Sequence, residues 1–334
     1  MVVSILLLLL FLPFLILGGG IALAWKKQRR RVLRWTGIGY LIVALFSLLG
    51  VGPFWLARFM SRAGSRAPDL KLKDTPADSG VPYENIQFQA RDGIVLSGWF
   101  IPPSRHNVIV VLSHGLFRTR VEMLSRAVGL AKAGFGVLLY DSRNHGTSGK
   151  ATVSLGYYEA QDILGAIDVV RQRLQIPTHR PQLVLMGVSM GAVATLQAAA
   201  QTRDYSALVL DSPFSSVRQT VIDHAWLFFR MPRFVFPPLF IFWFQKFAGI
   251  DVDWVNSHES LQRIQPVPLL MIASEGDQRM SPQITRDLFN EAKSPVKHIH
   301  VFGKDVGHGA AARLHPQEYL DILVGFLNNS LALD

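Results

Sequence analysis

The chain contains no cysteine, which excludes disulfides, thiolate zinc sites and a thiol nucleophile. Acidic residues are scarce where basic ones crowd. Residues 1–75 hold eleven Lys and Arg against two Asp and Glu, whereas the remainder is nearly balanced at 23 against 22. The net charge of +10 therefore belongs to the flanks of apolar segments rather than to a polyanion-binding face, and nucleic acid is not an expected partner.

Charge is missing altogether from residues 2–25 and 36–57, runs of 24 and 22 residues. Each exceeds the roughly 20 helical residues that cross a hydrocarbon core, so two transmembrane helices are expected. Six basic residues within 26–34 lie between them. Basic loops stay in the cytoplasm, which would put the downstream domain on the outer, extracytoplasmic side. Arg58, Arg62, Arg66, Lys71 and Lys73 oppose this more diffusely. A cleaved leader ending near Ala22-Leu23-Ala24 is the competing reading. Against it, no Lys or Arg precedes the first run, which is longer than the roughly 7–15 apolar residues of a leader core. Residues 61–80 are polar, with Pro68 and Pro76, and are expected to be a linker. The expected organisation is thus a membrane hairpin over 1–60, a linker over 61–80 and a globular domain over 81–334.

Within that domain, Gly187-Val188-Ser189-Met190-Gly191 stands between an apolar run at 183–186 and the small, helix-prone residues 192–200. Strand, sharp turn and helix with a serine at the apex is a nucleophile elbow. Glycines two residues either side are needed because larger ones would strike the neighbouring strand and helix. Short apolar runs at 108–112, 136–140, 183–186, 207–210 and 269–272 read as strands buried on both faces of a parallel sheet. They are preceded by a hairpin around Arg91-Asp92-Gly93. Helical spacing at Ala160, Ile163, Leu164, Ile167 and Val170, with further helices over 121–133, 281–292 and 319–331, completes the alternation. The predicted fold class is α/β, a doubly wound and mostly parallel sheet without internal repeat.

Unusual residues follow the carboxyl ends of these strands, where such sheets hold ligands. They are His114-Gly115, Asp141-Ser142-Arg143 with His145-Gly146, the serine elbow, Asp211-Ser212-Pro213-Phe214, Asp277 and Gly307-His308. In these pieces and their order the chain resembles the α/β-hydrolase superfamily, and within it the serine-aminopeptidase-like and BEM46-like branch, over about residues 83–332. The resemblance implies a catalytic triad of Ser189, Asp277 and His308.

A serine hydroxyl needs a base to take its proton, and His308 is the candidate, with His315 in reserve. Asp277 would orient and stabilise the imidazole. The branch usually carries a proline four residues after this acid; here Ser281 intervenes before Pro282, which keeps Asp305 in view as the alternative. The oxyanion hole would use the backbone N–H of Leu116 and Met190. Asp141, Arg143 and His145 read as a loop-bracing network, and His298 with His300 as structural residues rather than a metal pair. No cofactor or metal is called for.

Residues 226–254 carry eleven aromatics in 29 positions, inside an insertion of about 215–262. This is expected to be a helical lid, either packing as a plain cap or lining an acyl pocket and touching the bilayer. The chain therefore reads as a membrane-anchored serine hydrolase acting on a small-molecule or lipid-like acyl substrate, with the lipid bilayer as its partner. An amidase or aminopeptidase on the same triad and a non-catalytic membrane scaffold are the alternatives.

Overall fold

Alternating burial shows why the apolar runs become central strands. In β3 (Val108–Ser113), Ile109 and Val111 enter one apolar core while Val108, Val110 and Leu112 enter another on the opposite face. In β5 (Gln182–Val188), Leu183 and Leu185 go one way, Val184 and Met186 the other. A strand with apolar side chains on both faces is stable only between two helical layers.

The computed structural model describes residues 29–174 and 181–333, so the first expected span lies outside the described residues. β1 (Glu84–Gln89) and β2 (Val95–Ile101) form the expected hairpin. β4 (Gly136–Tyr140), β6 (Ala207–Asp211), β7 (Leu269–Ser274) and β8 (Lys297–Phe302) complete one sheet of eight strands, ordered β1-β2-β4-β3-β5-β6-β7-β8. β2 pairs antiparallel with β1 and β4, and every other pairing is parallel. Strand order reverses at β3, whose neighbours are β4 and β5, and the carboxyl ends there form the natural crevice. The helices Tyr157–Arg173 and Met190–Ala199 feed one core; Leu124–Lys132 and Pro316–Leu331 feed the other.

The chain divides into two compact units. The larger holds Arg62–Thr220 and the chain from Ile250 onward, and contains the whole sheet. The smaller takes in the described residues up to Ser61 together with Val221–Gly249. Here Leu33–Met60 form one apolar helix of 28 residues with a mean hydropathy of 2.0, long enough to cross a membrane. It is the one such helix among the described residues, and it contains the second expected span. A wide turn at Ser47–Val51 interrupts it, with Gly52 N–H reaching back five residues to Ser47 C=O. Pro53 follows, and it can neither donate to the carbonyl four residues back nor clear it.

The aromatic stretch is sorted by helix face. In Phe236–Ala248, started by Pro237 in its first turn and ended by Gly249 at φ 70°, the rings of Phe236, Phe240 and Phe244 stack along one side. Trp243 and Phe247 instead pack edge-on to Phe54 of Gly52–Met60, at 4.9 and 5.1 Å between ring centres. Arg58 lies over Phe247. Part of the expected lid is therefore bound to the N-terminal apolar helix.

Within the expected linker, residues 62–66 meet the sheet domain through their backbone, Arg66 N–H donating to Phe117 C=O at 2.9 Å and the carbonyls of Arg62 and Ala63 accepting from Asn144 Nδ2.

Candidate active site

Ser189 joins β5 to the helix Met190–Ala199 at φ 55° and ψ −119°, a conformation that side-chain-bearing residues avoid. Packing enforces it. A Cβ on Gly187 would collide with the backbone of Gly191 and Ala192, and one on Gly191 would collide with the end of β3 at Ser113. Ser189 N–H donates to Asp211 C=O at 2.8 Å, and the Asp211 carboxylate is held in turn by Arg126 at 3.0 Å and the Tyr319 hydroxyl at 2.8 Å. Asp211 stands out at its strand end in the sequence, but its partners Arg126 and Tyr319 do not, because they are far from it in the chain.

His308 stands on the loop after β8. Its Nε2 lies 2.8 Å from Ser189 Oγ, and its Nδ1 lies 2.6 Å from Asp277 Oδ2. The carboxylate is an acceptor, so Nδ1 carries the proton and Nε2 is left to accept from the serine. Asp277 is itself fixed, because its Oδ1 accepts the N–H groups of Arg279 and Met280 at 2.9 Å each. Ser281 caps the helix Pro282–Glu291, with Pro282 at its first position. The proline thus does its helix-starting work one residue later than the family pattern has it. The reserve residues pair with each other instead: His315 Nε2 meets Asp305 at 2.8 Å on the surface. His298 and His300 lie on β8 against Phe326 and Phe302.

The loop after β3 supplies the other expected donor. Gly115 N–H donates to Glu122 at 2.7 Å, and Phe117 N–H donates to His145 Nε2 at 3.2 Å. The Leu116 N–H between them has no acceptor among the described residues, and neither does that of Met190 at the first turn of its helix. Leu116 packs against Met190 in a small apolar cluster, and a Cβ on Gly115 would lie 3.5 Å from that of Ser189. Gly115, which precedes Leu116, thus stands against the serine that Met190 directly follows.

Asp141, Arg143 and His145 brace this loop. Asp141 accepts the N–H groups of Arg120 and Thr147, and Arg143 is forked onto Asp162 and Asp92. His114 accepts Ser142 N–H, and burial drives its pKa down. Burial, helped by the neighbouring His114, lowers the pKa of His145 to about 4, so both imidazoles are neutral.

Glu122 lies outside the sequence expectation. Its oxygens meet Gly115 N–H at 2.7 Å and Arg118 Nε at 2.9 Å, and burial pushes its carboxyl above the usual range. One acid a turn beyond a loop carries no mark in the sequence.

The chain matches the serine aminopeptidase, S33, family over residues 104–256, a stretch that includes Ser189 but not Asp277 or His308. It is 25% identical over 239 residues to YqkD of Bacillus subtilis, covering 71% of this chain and 76% of that one. It is 24% identical over 238 residues to the membrane protein YNL320W of Saccharomyces cerevisiae, covering 69% and 75%. The fold is also that of the Pyrococcus furiosus esterase PF2001, with a TM-score of 0.64 at 22% identity over 77% of this chain and 95% of that one.

Proposed function

We propose that this chain, a member of the α/β-hydrolase superfamily, is a membrane-anchored serine hydrolase that cleaves carboxylic esters or related acyl bonds. The observation that carries the reading is the unbroken hydrogen-bonded line from Ser189 Oγ through His308 to Asp277. Ser189 Oγ attacks the acyl carbon as its proton passes to His308 Nε2. The carbonyl oxygen becomes an oxyanion held by the N–H groups of Met190 and Leu116, each such donor contributing roughly 10²–10³ in rate. Asp277 stabilises the imidazolium, which then protonates the leaving alcohol as the tetrahedral intermediate collapses to the acyl-enzyme. Water activated by His308 releases the acid and restores the serine.

One fact favours esters over peptides. The apolar residues Leu116 and Met190 beside the serine suit an acyl chain. The aminopeptidase alternative rests on the matched family's description. A scaffold without catalysis would have no physical reason to hold Ser189 at a strained φ on His308.

Membrane attachment is supported by the helix Leu33–Met60 and by the membrane relative in yeast. Exposed Trp226, Phe228, Phe229, Phe234 and Phe242 in the same unit add an apolar surface suited to lipid. The proposed organisation keeps two spans in 1–60, with the hydrolase domain on the outer side and the insertion of about 215–262 as its lid.

The test is labelling with a fluorophosphonate, then a p-nitrophenyl ester series. Wild type is expected to label and Ser189→Ala not to. Each buried acyl CH₂ contributes about 0.8 kcal/mol, so four more carbons raise kcat/KM by up to roughly two decades. A profile that peaks at acetate, or faster turnover of aminoacyl anilides than of any ester, favours the peptidase.

A further inference from the structure

The segment that follows the apolar helix is tied across the loops after β3 and β4. Ser65 Oγ donates to Arg118 C=O at 2.6 Å and accepts Gly146 N–H at 2.8 Å, so one hydroxyl joins the loop after β3 to the loop after β4. Arg66 N–H donates to Phe117 C=O at 2.9 Å. Asn144 reaches back, its Nδ2 donating to the carbonyls of Arg62 and Ala63 at 2.9 and 2.8 Å. Ala63 is fully buried against Met190, with Leu116 and Phe117 on the same cluster. Asp69, 4% exposed, is shared between Arg66 at 2.7 Å and Arg118 at 3.0 Å.

These loops are partly held from within, Arg118 N–H and His114 Nδ1 both meeting Gly115 C=O at 3.3 and 2.7 Å, yet residues in them sit in left-handed backbone. Phe117 and Asn144 sit at φ 66° and 64°, and Gly146 at 46°. Left-handed backbone at residues other than glycine persists only where surroundings over-determine it. The donor at stake is the Leu116 amide. Glu122 fixes the peptide before it through Gly115 N–H, whereas the carbonyls of the two residues after it are fixed from outside the loop, by Arg66 and Ser65. The Leu116 peptide is thus held within the loop at Gly115 C=O, and the residues that follow it are held from residues 63–69.

We propose that residues 63–69 are a clamp that sets the geometry of the oxyanion hole, with Ser65 its central positioning residue. The clamp touches no reacting atom and acts through Phe117 and Arg118 on Leu116. It rests on the proposed serine-hydrolase activity and ties that activity to the stretch immediately following the anchor. Because it shapes a donor aimed at the oxyanion, its loss should weaken transition-state binding more than substrate binding.

The test uses the full-length protein, with active sites counted by fluorophosphonate titration. Ser65→Ala, which removes both hydrogen bonds, should lower kcat per titrated site about tenfold with KM within twofold. Affinity for an alkyl boronic acid, whose adduct carries the oxyanion, should fall by the same factor, and Ser65→Thr should restore both. Asp69→Asn, which keeps the shape and removes the charge shared by two arginines, should give a smaller loss of the same kind and serves if Ser65→Ala does not fold. An unchanged kcat per titrated site, whatever happens to thermal stability, overturns the clamp. Absence of labelling and turnover in the wild type would overturn the serine-hydrolase reading itself.

Discussion

At the residue scale, the choice between two acids turns on one distance. Asp277 meets His308 at 2.6 Å with its other oxygen anchored on two amides, whereas Asp305 meets His315 on the surface. Asp277→Asn is expected to cut kcat by several orders of magnitude, since the amide no longer holds the imidazole in the required tautomer. Asp305→Asn should stay within about twofold of wild type. Equal losses in the two variants would put the acid elsewhere. His145 makes a second prediction. Its folded pKa of about 4 lies below the ordinary imidazole value, so the unfolded chain binds the extra proton first as pH falls. The stability it contributes is complete above about pH 6.5 and is lost as pH falls through about 4, a difference of about 3 kcal/mol. Denaturant midpoints measured from pH 7 to 4 should decline, and in His145→Asn the decline should be shallower by about one proton. A slope unaffected by that substitution would show that His145 does not carry it.

At the element scale, the two glycines of the elbow and the ring contacts of Phe236–Ala248 do similar work, each fixing where a helix starts or docks. The helix's aromatic residues are not equivalent. Trp243 is engaged by Phe54, Phe240 stacks between Phe236 and Phe244, and Phe242 is half exposed. An edge-to-face pair is worth about 0.5–1.5 kcal/mol beyond the area it buries. Trp243→Ala should therefore loosen this helix and speed tryptic cleavage at the exposed Arg230 and Arg233 severalfold, whereas Phe242→Ala should not. Gel-resolved proteolysis of the full-length protein in detergent decides it. Equal cleavage rates in both variants would mean that the Phe54 contact does not hold the helix.

At the scale of the whole molecule, the proposed orientation rests on charge outside the sheet domain. Six basic residues in 26–34 precede the helix Leu33–Met60 or stand at its start, and each favours the cytoplasmic side. A reporter at the carboxyl terminus is expected to be active only outside the membrane, and replacing those six with Gln should scramble the result. Activity confined to the cytoplasm would reverse the proposed topology.

Much of the fold was legible in the sequence because its signals are local. Continuous apolar runs specify strands buried on both faces, and G-x-S-x-G specifies a turn that only glycine neighbours permit; Ser189 and Asp277 follow such strands, and His308 follows the polar-apolar edge strand β8. An uncharged run likewise specifies a long apolar helix, here Leu33–Met60. What remained hidden depends on pairs separated by long stretches of chain. Nothing in their own neighbourhoods marks Glu122 for Gly115 N–H, Arg126 and Tyr319 for Asp211, Phe54 for Trp243, or Ser65 for Arg118 and Gly146. A polar stretch such as 61–80 looks like a linker by composition alone, since hydrogen bonds made by backbone carry no side-chain signature. Composition and spacing determined which elements form and which side chains can do acyl chemistry. Only the tertiary structure, by bringing distant backbone groups within bonding distance, decided which acid meets His308 and what holds the loops beside the serine.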